Sequence, residues 1–135
     1  MRFHHIGYVV ADIEQGIRDF QRSLDAAWDN QIFEDPKQRV KVAFLYTNPL
    51  DPSIELVQPL GPGSPVNRFL EKGGGLHHVC WAVDDLEAAL RDFHERGAAV
   101  AILPKPALAF GGKRIAWLIT SEKPLVELLE TNREA

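Results

Sequence analysis

Four residues of this 135-residue chain have the types and spacing to hold a divalent cation: His5, Glu55, His78 and Glu127. Two neutral imidazoles and two carboxylates make a borderline-hard N/O donor set. Such a set suits Co, Ni, Mn, Fe(II) or Zn and leaves positions open for water or substrate. An internal repeat separates these four from the other histidines and acids. The stretch HIGYVVADIEQGIRDFQRSLDA from His5 returns as HVCWAVDDLEAALRDFHERGAA from His78, 73 positions later, with Asp12 on Asp85, Glu14 on Glu87 and Phe20 on Phe93. At the same offset RVKVAFLYT from Arg39 meets GKRIAWLIT from Gly112. One residue is then lost, and IELV around Glu55 falls on VELL around Glu127. Each copy therefore starts with a histidine and carries a glutamate near its end. Pairing the copies about a pseudo-twofold axis would gather the four residues. One such glutamate, set between apolar neighbours, reads as a solvent-facing residue. Two at equivalent positions, each with a matching histidine, read as a metal site, because a carboxylate in mid-strand is costly unless paired, solvated or coordinated.

The elements that must position these residues are legible from periodicity. Ile6, Tyr8 and Val10 alternate with His5, Gly7 and Val9, the period of a strand. Asp12 sits where an N-cap belongs, and Ile13, Ile17, Phe20 and Leu24 behind it form one apolar helix face. The second copy repeats this with Val79, Trp81 and Val83, then Asp85, then Leu86, Leu90 and Phe93, with Gly97 at the expected C-terminal cap. VKVAFLYT and SIELVQP in the first copy, and RIAWLIT and PLVELLE in the second, read as strands. The expected fold class is α+β: two tandem βαβββ modules whose curved sheets form a metal-binding cleft. A single domain over 1–135 is expected, with module one at about 1–60, a linker at about 61–75 and module two at about 76–135. The linker is rich in Pro and Gly, with a short helical piece around Val66–Lys72. Alternation puts Ile6, Tyr8, Ile54, Leu56, Val79, Trp81, Val126 and Leu128 on the helix-packed faces and all four candidate ligands on the uncovered faces.

Composition narrows the function classes. The chain is 45% hydrophobic and 25% charged, ordinary for a globular protein, and long enough to bury a core. A formal net charge of −4 argues against a general nucleic-acid binder, which needs a basic field. The single cysteine, Cys80, excludes an internal disulfide and suits a reducing compartment. The N-terminal apolar run is too short for a signal-peptide core or a membrane span. A cytoplasmic protein with a small-molecule substrate is expected, with neither nucleic acid nor membrane as partner.

Three stretches carry a resemblance across nearly the whole chain: HHIGYVVADIE; VKVAFLYTNPLDPSIELVQPLGPGSPVNRFLEKGGGLHHVCWAVDDLEAAL; and FGGKRIAWLITSEKPLVELLE. They are similar to the vicinal oxygen chelate (glyoxalase/bleomycin resistance/dioxygenase) superfamily. Within it the chain most resembles the methylmalonyl-CoA epimerases, with glyoxalase I enzymes as cousins. The resemblance implies one divalent metal ion on His5, Glu55, His78 and Glu127, proton transfer α to a carbonyl of an acyl-CoA or similar thioester, and a homodimer. Glyoxalase I-type lyase or isomerase chemistry on another carbonyl compound, or non-catalytic binding of a small molecule, are the alternative readings. One departure bears on catalysis. The family's catalytic Glu stands in a Pro-Glu-X-Gly-Val segment, and here that segment is Pro36-Lys37-Gln38-Arg39-Val40. Lys37 thus occupies the position of the base, and an ammonium accepts no proton unless desolvated. Glu34 or Asp35 just upstream, or Glu127 or Glu55 leaving the metal, are the substitutes. Lys105, Lys113 and Arg114 flank the Gly111-Gly112 turn and would meet a thioester's phosphates or simply face water.

His4, His77 and His94 read as structural or surface residues, and Cys80 as a small buried filler. Phe44 and Trp117, equivalents in the repeat, read as core or cleft wall. Gly73-Gly74-Gly75 lacks phosphate-loop spacing and reads as a flexible lead into the second copy.

Overall fold

The computed structural model describes residues 1–121 and 125–131. Contacts gather the chain into two units, one of His5–His77 and one of Met1–His4 with His78–Ala135. In chain order the elements are β1 (Arg2–Val9), α1 (Ile13–Leu24), β2 (Ala27–Trp28), β3 (Phe33–Asp35), β4 (Val40–Tyr46), β5 (Ser53–Pro59) and α2 (Asn67–Glu71). They continue with β6 (Gly75–Val83), α3 (Leu86–Glu95), β7 (Ala99–Pro106), a 3₁₀ turn (Leu108–Phe110), β8 (Arg114–Ile119) and β9 (Leu125–Glu130). Mixed strands with few helices make this an α+β fold. No helix among the described residues is long and apolar enough to cross a membrane.

In the His5–His77 unit the strands run in the order β2-β4-β5-β1, with β3 also paired to β4. The β1–β5 pair is parallel, and β5 meets β4 antiparallel. One expectation needs correcting. The first copy has four strands after its helix rather than three, because the strand following α1 breaks into β2 and β3, both antiparallel to β4. The break has a local cause. Asn30 adopts a left-handed φ of 65°, the Gln31 N–H donates to Asp29 Oδ1 at 3.0 Å, and Trp28 Nε1 donates to the Gln31 carbonyl at 3.0 Å. Asn and Asp tolerate that conformation and bond their own backbone, so they bend a strand sharply.

The helix α1 begins where Asp12 caps it, its Oδ1 accepting from Gln15 N at 3.1 Å. Its Ile13 and Ile17 meet Ala43, Leu45 and Leu56 of the sheet in one buried cluster, with Tyr8, Val10, Phe20 and Ile54 packed alongside. Leu24, expected on the apolar face, is exposed in the last turn. The Pro- and Gly-rich stretch belongs to this unit, and α2 lies within the expected helical piece. Gly74 has a structural reason to be glycine: at φ +67° a Cβ would come within 2.8 Å of the Val9 carbonyl oxygen.

The other unit repeats the plan in the order β6-β9-β8-β7, with β6 and β9 parallel. Asp85 Oδ1 caps α3 by accepting from Ala88 N at 3.0 Å, and Gly97 follows the C-cap at φ 96°. Leu86 packs with Val83, Ala116, Leu118 and Leu128, and Trp81, Leu90 and Phe93 lie against them. Of the expected strand PLVELLE, Pro124 lies outside the described residues, and the strand runs from Leu125. The sheet's other face carries its own cluster of Cys80, Ala107, Ile115 and Leu129, flanked by Phe110 and Trp117.

The helices α1 and α3 are also pinned to their sheets by polar contacts at equivalent repeat positions. Gln58 Oε1 accepts from Ile13 N at 2.8 Å, and Glu130 Oε2 accepts from Leu86 N at 3.1 Å. In the second copy Arg114 adds bonds of 2.8–3.0 Å to Glu87 and Glu130. These carboxylates push the guanidinium pKa further up, the Glu87 hydrogen bond most. Arg114 is thereby committed to holding α3, not left on the turn for a phosphate.

Candidate metal centre

Strand pairing inside each unit sets one His beside one Glu. In the first, β1 and β5 run parallel with His5 against Ser53 and Gly7 against Glu55, so alternation aims both the His5 and Glu55 side chains at the face away from α1. His5 Nε2 lies 3.5 Å from Glu55 Oε1. In the second, His78 stands against Leu125 and Cys80 against Glu127, and His78 Nε2 lies 3.5 Å from Glu127 Oε1. All four residues are buried, none exposing more than 5% of its surface. The strand reading expected the helix-packed face to be the drier one. On β1 the reverse holds: His5, Gly7 and Val9 are buried while Ile6 and Tyr8 are half-buried. The side of β1 that carries the candidate ligand is thus more buried than the side that faces the helix.

The pairs fit a divalent ion on their own geometry. Ligand atoms held at about 2.1 Å from one ion stand roughly 3.0–3.4 Å apart in octahedral or tetrahedral arrangement. A 3.5 Å separation in each pair is close to that and long for a direct charge-assisted hydrogen bond. Burying carboxylates this deeply is costly without a cation or good donors to face them.

Each imidazole also carries an aromatic ring edge-on. Phe44 stands 6.0 Å from His5 between ring centroids at 77°, and Trp117 stands 4.8 Å from His78 at 87°. Phe33 extends the first contact, 6.4 Å from Phe44. Phe44 and Trp117 are repeat equivalents, so their role was signalled by the same offset as the ligands. Packed rings of this kind restrict rotation of the imidazole and keep water off it.

The other candidates fall elsewhere. Phe33 faces His5's side of the first sheet, so its neighbour Glu34 points to the opposite side. There its carboxylate is exposed and lies 3.8 Å from Lys41 Nζ. Lys37 is exposed on the turn joining β3 to β4. Asp35, buried at 4% exposure, organises that turn: Oδ1 accepts from Lys37 N and Gln38 N, and Oδ2 from the Gln38 side chain, all at 3.0 Å. Glu34, Lys37 and the His5–Glu55 pair are thus not brought together. His4 packs edge-on to Phe110 at 5.6 Å and His77 to Phe69 at 4.9 Å, while His94 is exposed on α3. Cys80 is fully buried.

Two polar residues on the His5 face escaped the sequence reading: Ser53, buried beside His5, and Tyr46, at the end of β4. Burial and then the Asp29 carboxylate push the Tyr46 phenol up, and His5 pulls it partly back, which registers the imidazole's field at the hydroxyl. Alternation along β4 and β5 was the available signal.

Comparison with known proteins follows the same lines. The family model described as Glyoxalase/Bleomycin resistance protein/Dioxygenase superfamily matches residues 4–117. The chain belongs to this superfamily. Among superfamily relatives, the ethylmalonyl-CoA/methylmalonyl-CoA epimerase of Cereibacter sphaeroides is 36% identical over 119 residues, 87% of each chain. A hypothetical protein of Bacillus halodurans superposes with a TM-score of 0.86 at 29% identity, covering 99% of this chain and 96% of that one. Methylmalonyl-CoA epimerase from Mycobacterium tuberculosis gives 0.84 at 24% identity over 98% and 89% of the two chains, a likeness of fold.

Proposed function

We propose that this superfamily member is a divalent-metal isomerase of the epimerase kind, moving a proton α to the carbonyl of an acyl-CoA or similar thioester. The observation that carries the proposal is the duplicated, buried His–Glu pair at 3.5 Å, one in each copy of the repeat. The similarity to an epimerase over 87% of the chain supports the substrate class. His5, Glu55, His78 and Glu127 would together hold one ion, and the repeat relation between the pairs is the reason to join them. When bound, the ion supplies a Lewis acid for the oxygen that gains charge as the α-proton leaves.

The remaining work belongs to side chains. Inverting an acidic carbon requires an acceptor on one face and a donor on the other. Glu34 and Lys37 stand away from the His5–Glu55 pair, so Glu127, released from the ion, is the proposed acceptor, and Glu55, released and carrying a proton taken from water, is the donor to the opposite face. A carboxylate in its ionised form can take the proton, whereas an ammonium has no lone pair to accept one. Phe44 and Trp117 hold the imidazoles in orientation and exclude water from them.

The test is to incubate metal-loaded protein with a panel of acyl-CoA thioesters in deuterated water and follow α-deuterium by mass spectrometry. Metal-dependent exchange on a 2-substituted acyl-CoA is the expected result. Ligand binding without exchange would favour a non-catalytic binding protein, and turnover of an α-oxoaldehyde adduct instead would favour glyoxalase-type chemistry.

A further inference from the structure

The two copies of the repeat differ most tellingly in the row of side chains beside each histidine. In the first sheet His5 stands against Ser53, and the β4–β5 register that pairs Leu45 with Ile54 continues to put Tyr46 opposite Ser53. Alternation places all three on one face, the face of Glu55 and Phe44. At the equivalent positions the second copy has His78 against Leu125, and the register that pairs Leu118 with Val126 puts Ile119 opposite Leu125. The fold therefore accepts aliphatic side chains in this row. Two hydroxyls in the first copy are not demanded by the architecture.

We infer that the Tyr46 and Ser53 hydroxyls form a subsite that receives an uncharged oxygen, a hydroxyl or keto oxygen, on the acyl group of the substrate. Directly opposed strand residues have Cβ atoms about 4.5–5.5 Å apart, so the two hydroxyl-bearing side chains are neighbours on one face, with Ser53 at its floor and the longer Tyr46 reaching further out. Ser53 is 7% exposed and Tyr46 37%, so the row grades from a buried hydroxyl next to His5 to an accessible one at the strand end. The charge around it selects the acceptor. No Lys or Arg lies in the row, and the nearby Asp29 carboxylate disfavours an anion. Each hydroxyl carries one O–H that can donate to a ligand oxygen. This inference rests on the acyl thioester reading and narrows it: the acyl chain carries an oxygen beyond the thioester carbonyl.

The experiment compares two CoA thioesters that differ by one hydroxyl, 3-hydroxybutyryl-CoA and butyryl-CoA, by calorimetric titration of the metal-loaded protein. A site built to bond a hydroxyl rejects the analogue lacking it strongly, so the parent is expected to favour the hydroxylated ligand by roughly tenfold or more. Tyr46→Phe and Ser53→Ala, both nearly isosteric, should each erode that ratio by weakening the hydroxylated ligand and leaving butyryl-CoA unchanged. Ile119→Val in the second copy should leave the ratio alone. A parent without preference, a ratio untouched in both variants, or failure of both thioesters to bind would overturn the subsite. If the ratio behaves as expected while no thioester exchanges its α-proton, the subsite stands and the isomerase reading fails.

Discussion

If His5, Glu55, His78 and Glu127 hold the proposed ion, removing one should act first on that ion rather than on the fold. The purified protein is expected to bind about one divalent ion per chain at neutral pH, and His78→Ala to abolish tight binding while far-UV circular dichroism stays native. Equal affinity in parent and variant, measured by calorimetric titration, would remove His78 from the site. The base can be separated from the ligand at the same position. Glu127→Gln keeps an oxygen donor and loses the proton acceptor, so it should retain weakened ion binding and lose about 10²–10⁴-fold in α-deuterium exchange. Lys37→Glu is the control. On the exposed turn it should change exchange little, and a rise of ~10²–10⁴-fold would instead put the base on that turn.

At the scale of elements, α1 and α3 each start on an aspartate cap and are pinned from the sheet, which makes their energetics separable. Asp85→Ala should cost about 1 kcal/mol in urea unfolding, as loss of an N-cap does. Leu128→Ala, in the fully buried cluster under α3, should cost about 2–5 kcal/mol. The reverse ranking would mean that α3 is held mainly by its end. Much of this level was legible in the sequence. Helix caps, apolar helix faces and the outward aim of Glu55 and Glu127 follow from local spacing and strand alternation. The split of one strand into β2 and β3 did not, because it depends on Asn30 taking a left-handed conformation, which composition permits without requiring. Nor did the dry ligand face. Alternation says which side a residue points to, whereas burial depends on what covers that side. The same gap hid Tyr46 and Ser53, ordinary strand residues until the register aligns them with His5. Glu34 looked usable as a base because it is near Lys37 in sequence, but strand parity sends it to the other face.

At the scale of the whole molecule, duplication makes a prediction that no single pair can. If one ion is shared by both copies, its binding energy belongs to the folded chain as a unit. At a free ion concentration a hundred times Kd the ion should add about 2.7 kcal/mol of stability, read as a rise of several degrees in the thermal midpoint and reversed by a chelator. His5→Ala and His78→Ala should then each erase the whole ion-dependent rise, because a three-ligand remnant binds too weakly at that concentration. Two independent ions, one on each His–Glu pair, would give a different pattern. Each variant would lose only its own share, and the double variant would be needed to lose the rest. A shared ion thus appears as strong non-additivity between substitutions in separate copies, the sign expected of residues that act as one site. Additive losses in the thermal midpoint would leave each His–Glu pair as an element of its own copy and would withdraw the single-ion isomerase.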